Sequence, residues 1–469
     1  MKGPAFLIVP LTLGLAGCLV GPNYKRPQVA LPNRFPNAPS TDSGDRAAES
    51  VADTKWFDLF EDDTTKQLVT SALERNFDLR IAVERVQEAR AQYGIARANI
   101  FPTLDAQTQF QATRSSSIGS FPFIQPGTNL SVTYTQAGLN LNWELDLWGR
   151  LRRLTESARA QYLATDEARR GVIVSLVSDV TNTYFALREQ DLELEISQQT
   201  RDAAADNLRL INLRHDRGAA SALEVHQAEQ FLYTATAQIA SVARSIGQTE
   251  DALSLLLGTA PREVPRGKSL DQITARPNLP PGLPSALLER RPDIRQAEET
   301  LIAQNAQIGA ARALLFPQIS LTGALGGQSR ALTQLFTGPA RVDSIGPGAL
   351  IPIFHAGLRA GVRLTEAQQR EALLSYEKTV YGALRDVADA LVAHNRTQEQ
   401  RAEQEKLVEA LSQSVRVSTL RYRGGLDSYL QVLDAERNLF GGQLTRAQLR
   451  LEELQSVVQL YRALGGGWQ

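Results

Sequence analysis

Side chains that commonly catalyse reactions or bind metals are few in this chain and far apart. There are four histidines, none in HxxH or HExxH spacing: His215, His226, His355 and His394. The single cysteine among 469 residues excludes a disulfide framework and a cysteine-based zinc cluster. No nucleophile–base pair or phosphate-binding loop stands out. The sequence therefore predicts neither an enzyme active site nor a metal or other cofactor.

The overall charge excludes another class of function. The chain carries 50 basic and 51 acidic side chains, whereas a general nucleic-acid binder needs excess Lys and Arg to neutralise phosphates. Apolar residues make up 43% of the chain and recur along most of it, which predicts a folded protein.

One residue does suggest a modification. Cys18 ends a short apolar run that is too short for a membrane-spanning helix. The sequence Leu15-Ala16-Gly17-Cys18 resembles the lipobox of bacterial lipoproteins. That resemblance implies removal of residues 1–17 as a signal peptide, with a diacylglycerol on the Cys18 sulfur and an acyl chain on its amine. Residues 18–55 would follow as a lipid-anchored extended segment, and Leu19 in place of Asp favours the outer membrane. The alternative is an ordinary buried cysteine.

The rest of the chain is a tandem repeat. Residues 74–102 align without gaps with residues 289–317, and the alignment continues to the C-terminal part with a falling offset. We expect a first repeat over 56–258, a proline-rich connector over 259–288 and a second repeat over 289–469.

Each repeat has the same predicted order of elements. A helix ending at a Phe-Pro pair comes first, and two stretches with alternating apolar and polar residues follow. They are 104–112 and 139–147 in the first repeat and, less regularly, Ile319 to Leu325 and about 344–354 in the second. Next comes a proline-free stretch over about 151–215, which as a helix would extend roughly 100 Å. Sustained 3.5-residue spacing predicts coiled-coil packing of the long helices, with turns at Gly218 and at Gly424-Gly425.

These strands fit a transmembrane β-barrel, although a half-exposed soluble sheet has the same alternation. Four strands cannot close a barrel, and open edges in lipid leave backbone groups unpaired. If the strands span a membrane, several chains must share one barrel.

Several motifs together resemble a known family. They are Arg290-Arg291-Pro292-Asp293-Ile294, the two Phe-Pro pairs, Tyr422-Arg423-Gly424-Gly425, Leu433-Asp434-Ala435-Glu436-Arg437 and Leu464-Gly465-Gly466-Gly467-Trp468. The sequence resembles the outer-membrane factor family of TolC-like efflux ducts, in its OprM- and NodT-like lipoprotein branch.

The resemblance implies a mixed α/β membrane protein. Three chains would share a 12-stranded β-barrel, continued by a long α-helical coiled-coil barrel in the periplasm of a Gram-negative bacterium. An equatorial region would be built from parts of 56–70, the connector and the C-terminal end. The trimer would work with a periplasmic adaptor protein and an inner-membrane resistance-nodulation-division transporter, and would export drugs or other toxic small molecules.

The resemblance also suggests a gate at the helix-turn-helix tips, where Gly218, Gly424 and Gly425 would contact the adaptor. Leu430 and Asp434 are four residues apart and therefore share a helix face. By resemblance, three-fold symmetry makes Leu430 a hydrophobic ring and Asp434 an acidic ring, with Arg437 as a partner and Tyr422 holding the tip shut. The alternatives are a coiled-coil core position for Leu430 and a solvated helix acid for Asp434.

Two other functions remain open at this point. A pore-less periplasmic coiled-coil lipoprotein explains the lipobox and the heptads but leaves the polar-faced strands unexplained. The third hypothesis is an enzyme, for which the sequence offers no candidate active site.

Overall fold

The computed structural model describes residues 19–35, 50, 56–116, 131–274 and 282–466. Cys18 and the predicted signal peptide lie outside these residues, as do most of the Ser/Gly/Pro-rich loop over 115–128 and residues 275–281 of the connector.

The order of elements is the same in both halves of the chain. The first half contains α1 (Asp63–Arg75), α2 (Phe77–Ala98), β1 (Thr103–Arg114), β2 (Ser131–Leu145), α3 (Arg150–Asp216) and α4 (Ala222–Leu256). The second half contains α5 (Leu287–Arg290), α6 (Pro292–Ala313), β3 (Gln318–Ser329), β4 (Arg341–Leu350), α7 (Ala356–Arg423) and α8 (Tyr429–Ala463). The predicted succession of helix, two strands and two long helices is confirmed.

The predicted bounds of the helices and strands agree with the structure to different degrees. The proline-free stretch over 151–215 is one helix, α3, of 67 residues. β1 and β3 contain their predicted alternating residues, whereas β2 begins eight residues before the predicted 139–147 and ends two residues earlier. The fourth strand was expected over about 344–354 but is Arg341–Leu350, because its glycines and Pro347 leave little alternation to locate its ends.

Two compact units are present, and each draws segments from both halves of the chain. One comprises Met1–Pro27, Gln87–Ala164 and Glu298–Ser375; the other comprises Gln28–Val86, Thr165–Ala297 and Tyr376–Gln469.

The first unit contains a four-stranded antiparallel sheet in the order β1-β2-β3-β4. Both edge strands, β1 and β4, therefore have one side without a strand partner among the described residues.

In the second unit, the middle segments of the long helices pack around buried side chains of α1, α3, α7 and α8, including Val69, Tyr184, Tyr376 and Leu460. The connector is tied to this packing at several points. Asp62 caps α1 through the Thr65 amide at 2.8 Å and also accepts the Lys268 amide at 3.3 Å. Arg446 on α8 pairs with Asp271 at 2.6 Å.

No helix among the described residues combines the length and the apolar character that crossing a membrane requires.

Candidate functional site

The two faces of the sheet differ in chemistry. Directly paired residues of an antiparallel sheet point to the same side, and neighbours along a strand alternate sides. Leu104 lies opposite Leu141, whereas Asp105 lies opposite Asn140. One face therefore carries the apolar side chains Leu104, Ala106, Phe110, Leu139, Leu141, Trp143, Leu321, Leu325 and Ile345. At the start of β4 this face also carries Arg341 and Asp343, which pair with each other at 3.1 Å. The other carries Asp105, Gln107, Gln109, Gln111, Gln136, Asn140, Asn142 and Glu144.

The exposure of the apolar face shows that no layer of the described residues covers it. Leu104 and Phe110 are 65% and 69% exposed, and Ile345 is 76% exposed. A half-buried soluble sheet would cover such a face with its own core. This sheet instead presents an open apolar face and a face rich in side-chain amides.

The predicted turns lie between α3 and α4, here called the first hairpin, and between α7 and α8, the second hairpin. Gly218 and Gly425 each adopt φ +72°, which favours glycine. Each helix ends in a Schellman motif: the Ala219 amide donates to the Arg214 carbonyl at 2.7 Å, and the Leu426 amide donates to the Arg421 carbonyl at 2.9 Å. The glycines therefore end the two long helices, as predicted.

The two turns are held in different ways. Ser221 and Glu224 form a capping box at the start of α4. At the second turn, the Arg421 guanidinium binds both carboxylate oxygens of Asp427, at 2.5 and 3.1 Å. Arg421 lowers the pKa of the Asp427 carboxyl by this hydrogen bonding.

Leu430, Asp434 and Arg437 lie on the exposed face of α8, while Val432, Leu433 and Ala435 are buried. Leu430 is 52% exposed and does not belong to the buried core of its own hairpins. Asp434 accepts a hydrogen bond from Asn438 at 3.2 Å, and no ion pair joins it to Arg437 among the described residues. The predicted gate residues thus share a face that one chain leaves uncovered.

Tyr422 is on the opposite, buried side of the second hairpin. It is 6% exposed, its ring lies 5.6 Å from that of Tyr429, and the Arg214 guanidinium of α3 lies 4.5 Å from its ring centroid. This cation–π contact connects the first hairpin to the second. The Tyr422 hydroxyl oxygen is buried without a hydrogen-bond partner among the described residues.

The family comparison agrees with this geometry. A family model described as "Outer membrane efflux protein" matches residues 68–259 and 283–466. The chain belongs to this family.

Two relatives show the range of the family. The toluene efflux pump outer membrane protein TtgI of Pseudomonas putida is 40% identical over 459 residues, which cover 97% of each chain. The cation efflux system protein CusC of Escherichia coli is 34% identical over 461 residues, covering 98% of each.

Among solved structures, the open state of the Neisseria gonorrhoeae MtrE outer membrane channel superposes with a TM-score of 0.84 at 32% identity. It covers 96% of this chain and 99% of the MtrE chain. The chain is therefore an outer-membrane efflux protein with the channel fold of its relatives.

The structure adds residues to this efflux protein's candidate site that the sequence did not single out. Glu436 of α8 accepts a hydrogen bond from the Asn207 side chain of α3, inside a cluster that includes Phe231, Tyr429 and Phe440. Burial raises the pKa of Glu436 to about 7. One heptad core face of α8 carries Tyr429, Leu433, Glu436 and Phe440. An acid at a core position is the sequence feature that could have identified Glu436.

The residues after the predicted lipid anchor are fixed to the sheet-containing unit. Arg153, whose side chain is 2% exposed, donates to Asn23 Oδ1 at 2.8 Å and to the Val20 carbonyl at 3.4 Å. A Cβ on Gly309 would lie 2.7 Å from the Val20 carbonyl oxygen, so this approach needs glycine. Arg26 binds Glu298 through two hydrogen bonds, at 2.8 and 2.5 Å.

The histidines are engaged in local contacts. His215 Nδ1 lies 2.9 Å from the Ala220 carbonyl and closes the first turn, and His226 Nδ1 lies 2.9 Å from Glu229 on an exposed face. His394 donates from Nδ1 to Ser456 Oγ, since that hydroxyl already donates to the Glu453 carbonyl. Burial lowers the pKa of His394, which favours this neutral form.

Proposed function

We propose that three copies of this chain form a passive outer-membrane channel of a tripartite efflux system. The four-stranded sheet carries the proposal, because its two edge strands are open and one of its faces is exposed and apolar. A sheet edge in lipid leaves backbone groups unsatisfied at several kcal/mol each, so β4 of one copy must pair with β1 of the next. Three such sheets give a 12-stranded barrel with the apolar face toward lipid.

The amide-rich face then lines the pore. Gln and Asn side chains hydrate well and carry no charge, which suits the passage of chemically diverse solutes. In each sheet the pore-facing acids are Asp105 and Glu144, and Glu144 is paired with Arg150 at 2.5 Å. This face supports conduction without strong selection by charge.

The second hairpins form the gate in this proposal. Three copies of the exposed α8 face bring three Leu430 side chains and three Asp434 carboxylates together around one axis. The leucines exclude water, and the acids concentrate cations at the same constriction. Arg437 is then near enough in sequence to balance the acids, and Gly218, Gly424 and Gly425 present the turns to a periplasmic adaptor.

The lipid anchor is part of the same proposal. Lipid on Cys18 would be held at the sheet-containing unit, because Val20 donates to the Trp148 carbonyl at 3.1 Å and Arg153 binds the next residues. Two acyl signals give stable membrane attachment.

The proposed cargo is drugs or other toxic small molecules delivered by an inner-membrane resistance-nodulation-division transporter. The names of relatives support this breadth, since TtgI is named for toluene and CusC for cations.

Single-channel recording tests the proposal against the pore-less lipoprotein. The purified full-length chain is added to a planar lipid bilayer, and a boiled sample serves as the control. We expect discrete conductance steps from the native protein alone. A folded, membrane-inserted protein that never conducts would support the structural lipoprotein instead.

A further inference from the structure

The contact between Glu436 and Asn207 connects the two hairpins in the region of their turns. Asn207 lies on α3 of the first hairpin and Glu436 on α8 of the second, and the amide donates to Oε1 of the carboxyl. The other carboxyl oxygen, Oε2, is buried and has no hydrogen-bond partner among the described residues. If Glu436 ionises here, one oxygen of its carboxylate accepts a hydrogen bond from Asn207 and the other accepts none.

The surroundings of Glu436 offer little compensation for a negative charge. Leu433 and Phe440 flank Glu436 on the same face of α8. Both belong to a buried apolar cluster that draws on all four long helices and includes Ile211 and Phe231. An ion in such surroundings is costly unless it is paired.

The charged and titratable groups nearby do not include an ion-pair partner for Glu436 among the described residues. Tyr429 on α8 is 2% exposed; burial first, and then the nearby Glu436, raise its pKa. Around Tyr429 lie Tyr422 of α7, Arg437 of α8 and Glu224 of α4. The Arg214 guanidinium of α3 is placed on the Tyr422 ring.

The internal repeat provides a comparison position. Glu229 occupies the place in α4 that Glu436 occupies in α8. Its side chain is 36% exposed and pairs with His226 at 2.9 Å, whereas the residue corresponding to His226 in α8 is the buried Leu433. Of these two corresponding acids, only Glu436 of the second hairpin is therefore buried against the other hairpin.

We propose that Glu436 and Asn207 form a proton-sensitive latch that holds the second hairpin against the first and weakens when Glu436 ionises. This latch rests on the proposed role of the hairpins as the gate, and it adds a means of regulating that gate.

The direction of the pH effect follows from linkage. Packed between the hairpins, Glu436 has a pKa of about 7, against an ordinary value of 4.5 when it is hydrated. The packed state therefore binds more protons than the separated state between these two values. The latch is at full strength below about pH 4.5, weakens as the pH rises toward 7, and changes little above that. Opening should accordingly become easier from acidic to neutral pH.

Conductance at two pH values tests the latch. Full-length wild-type protein, Glu436→Gln and the matched control Glu229→Gln are recorded in planar bilayers at pH 5 and pH 7.5 with constant salt. We expect the wild type and Glu229→Gln to conduct several-fold more at pH 7.5. Glu436→Gln, which keeps the shape but cannot ionise, should stay near its pH 5 value. A Glu436→Gln variant with the wild-type pH response would overturn the latch.

A crosslink tests the same contact without relying on titration. The only natural cysteine is Cys18, so Asn207→Cys combined with Glu436→Cys introduces a single new pair of thiols between the hairpins. A short bismaleimide joins the two thiols, because Asn207 and Glu436 meet through the ends of long side chains and a direct disulfide needs closer Cα atoms. We expect the crosslinked protein to conduct several-fold less than the untreated protein at both pH values. Equal conductance with the crosslink formed would show that the hairpins do not separate here.

The outcomes distinguish this latch from the channel itself. A wild-type protein that conducts at neither pH contradicts the proposed channel. A wild-type channel whose response to pH does not depend on Glu436 contradicts the latch alone.

Discussion

At the scale of single residues, the proposed gate depends on Leu430 and Asp434 acting together. Three Asp434 carboxylates brought close together repel one another, which invites a cation or Arg437 between them. Three leucines one turn away exclude water from the same constriction. Neither ring alone need close the pore.

We expect Leu430→Ala with Asp434→Ala to raise single-channel conductance several-fold and to lower cation selectivity, measured from reversal potentials in a salt gradient. The matched control is Leu223→Ala with Gln227→Ala, the same positions in the first repeat. Unchanged conductance and selectivity in the first variant, with the oligomer intact, would place the gate elsewhere.

Arg153 governs the segment that follows the lipid anchor. Replacing it with Met removes its hydrogen bonds to the Val20 carbonyl and to the Asn23 side chain, each a net loss of about 0.5–1.5 kcal/mol. We expect Arg153→Met to lower the melting temperature and to expose residues 19–27 to protease. The exposed Arg159→Met on the same helix is the control and should change neither.

Metabolic labelling distinguishes the role of Arg153 in holding the segment from the attachment of lipid to Cys18. Arg153→Met should still incorporate labelled palmitate, whereas Cys18→Ser should not. Equal protease resistance of Arg153→Met and wild type would mean that other contacts hold the segment.

Sequence alone could locate some of these residues better than others. Four-residue spacing places Leu430 and Asp434 on one helix face, and the structure leaves that face exposed. Their role as a gate came from the family resemblance and stays a prediction. The latch partner Asn207 could not be found, since it is 229 residues from Glu436 and only packing brings the two together. Burial of Arg153 could not be predicted either, because nothing in the sequence distinguishes it from its less buried neighbours Arg150 and Arg152.

At the scale of elements, the hairpin turns depend on the backbone of two glycines. Gly218 and Gly425 have φ +72°, and no atom lies within 4 Å of a Cβ added at either. The cost of a side chain there is therefore conformational, on the order of 1 kcal/mol.

We expect Gly218→Ala and Gly425→Ala each to destabilise the protein by about that amount in thermal or denaturant unfolding. Gly247→Ala is the control, since Gly247 lies inside α4 with equally open space and alanine favours a helix. It should be neutral or slightly stabilising, and a loss equal to that at the turns would argue against a backbone origin.

The strands show when an alternating sequence pattern predicts the bounds and faces of an element. Strict alternation in β1 gave its place and its two faces correctly, because each residue type is assigned to one side. The first part of β2, from Ser131 to Gly138, mixes small and polar residues on both faces, so its start was not predicted. The glycine-rich β4 was predicted, but three residues too late at its start and four at its end.

At the scale of the whole molecule, the proposed channel needs more than one chain. A sheet with two open edges and an exposed apolar face is not a stable end state in lipid or in detergent. The gate likewise requires several copies, because Leu430 and Asp434 have no facing partner across a pore within one chain among the described residues.

The mass of the folded protein in detergent tests this central claim most directly. Native mass spectrometry, or light scattering corrected for bound detergent, should give three copies of the mature chain and no folded monomer. The trimer should persist on dilution, since separating it exposes six strand edges. A well-folded monomer would contradict the shared barrel, and any other stable copy number would contradict the 12-stranded arrangement.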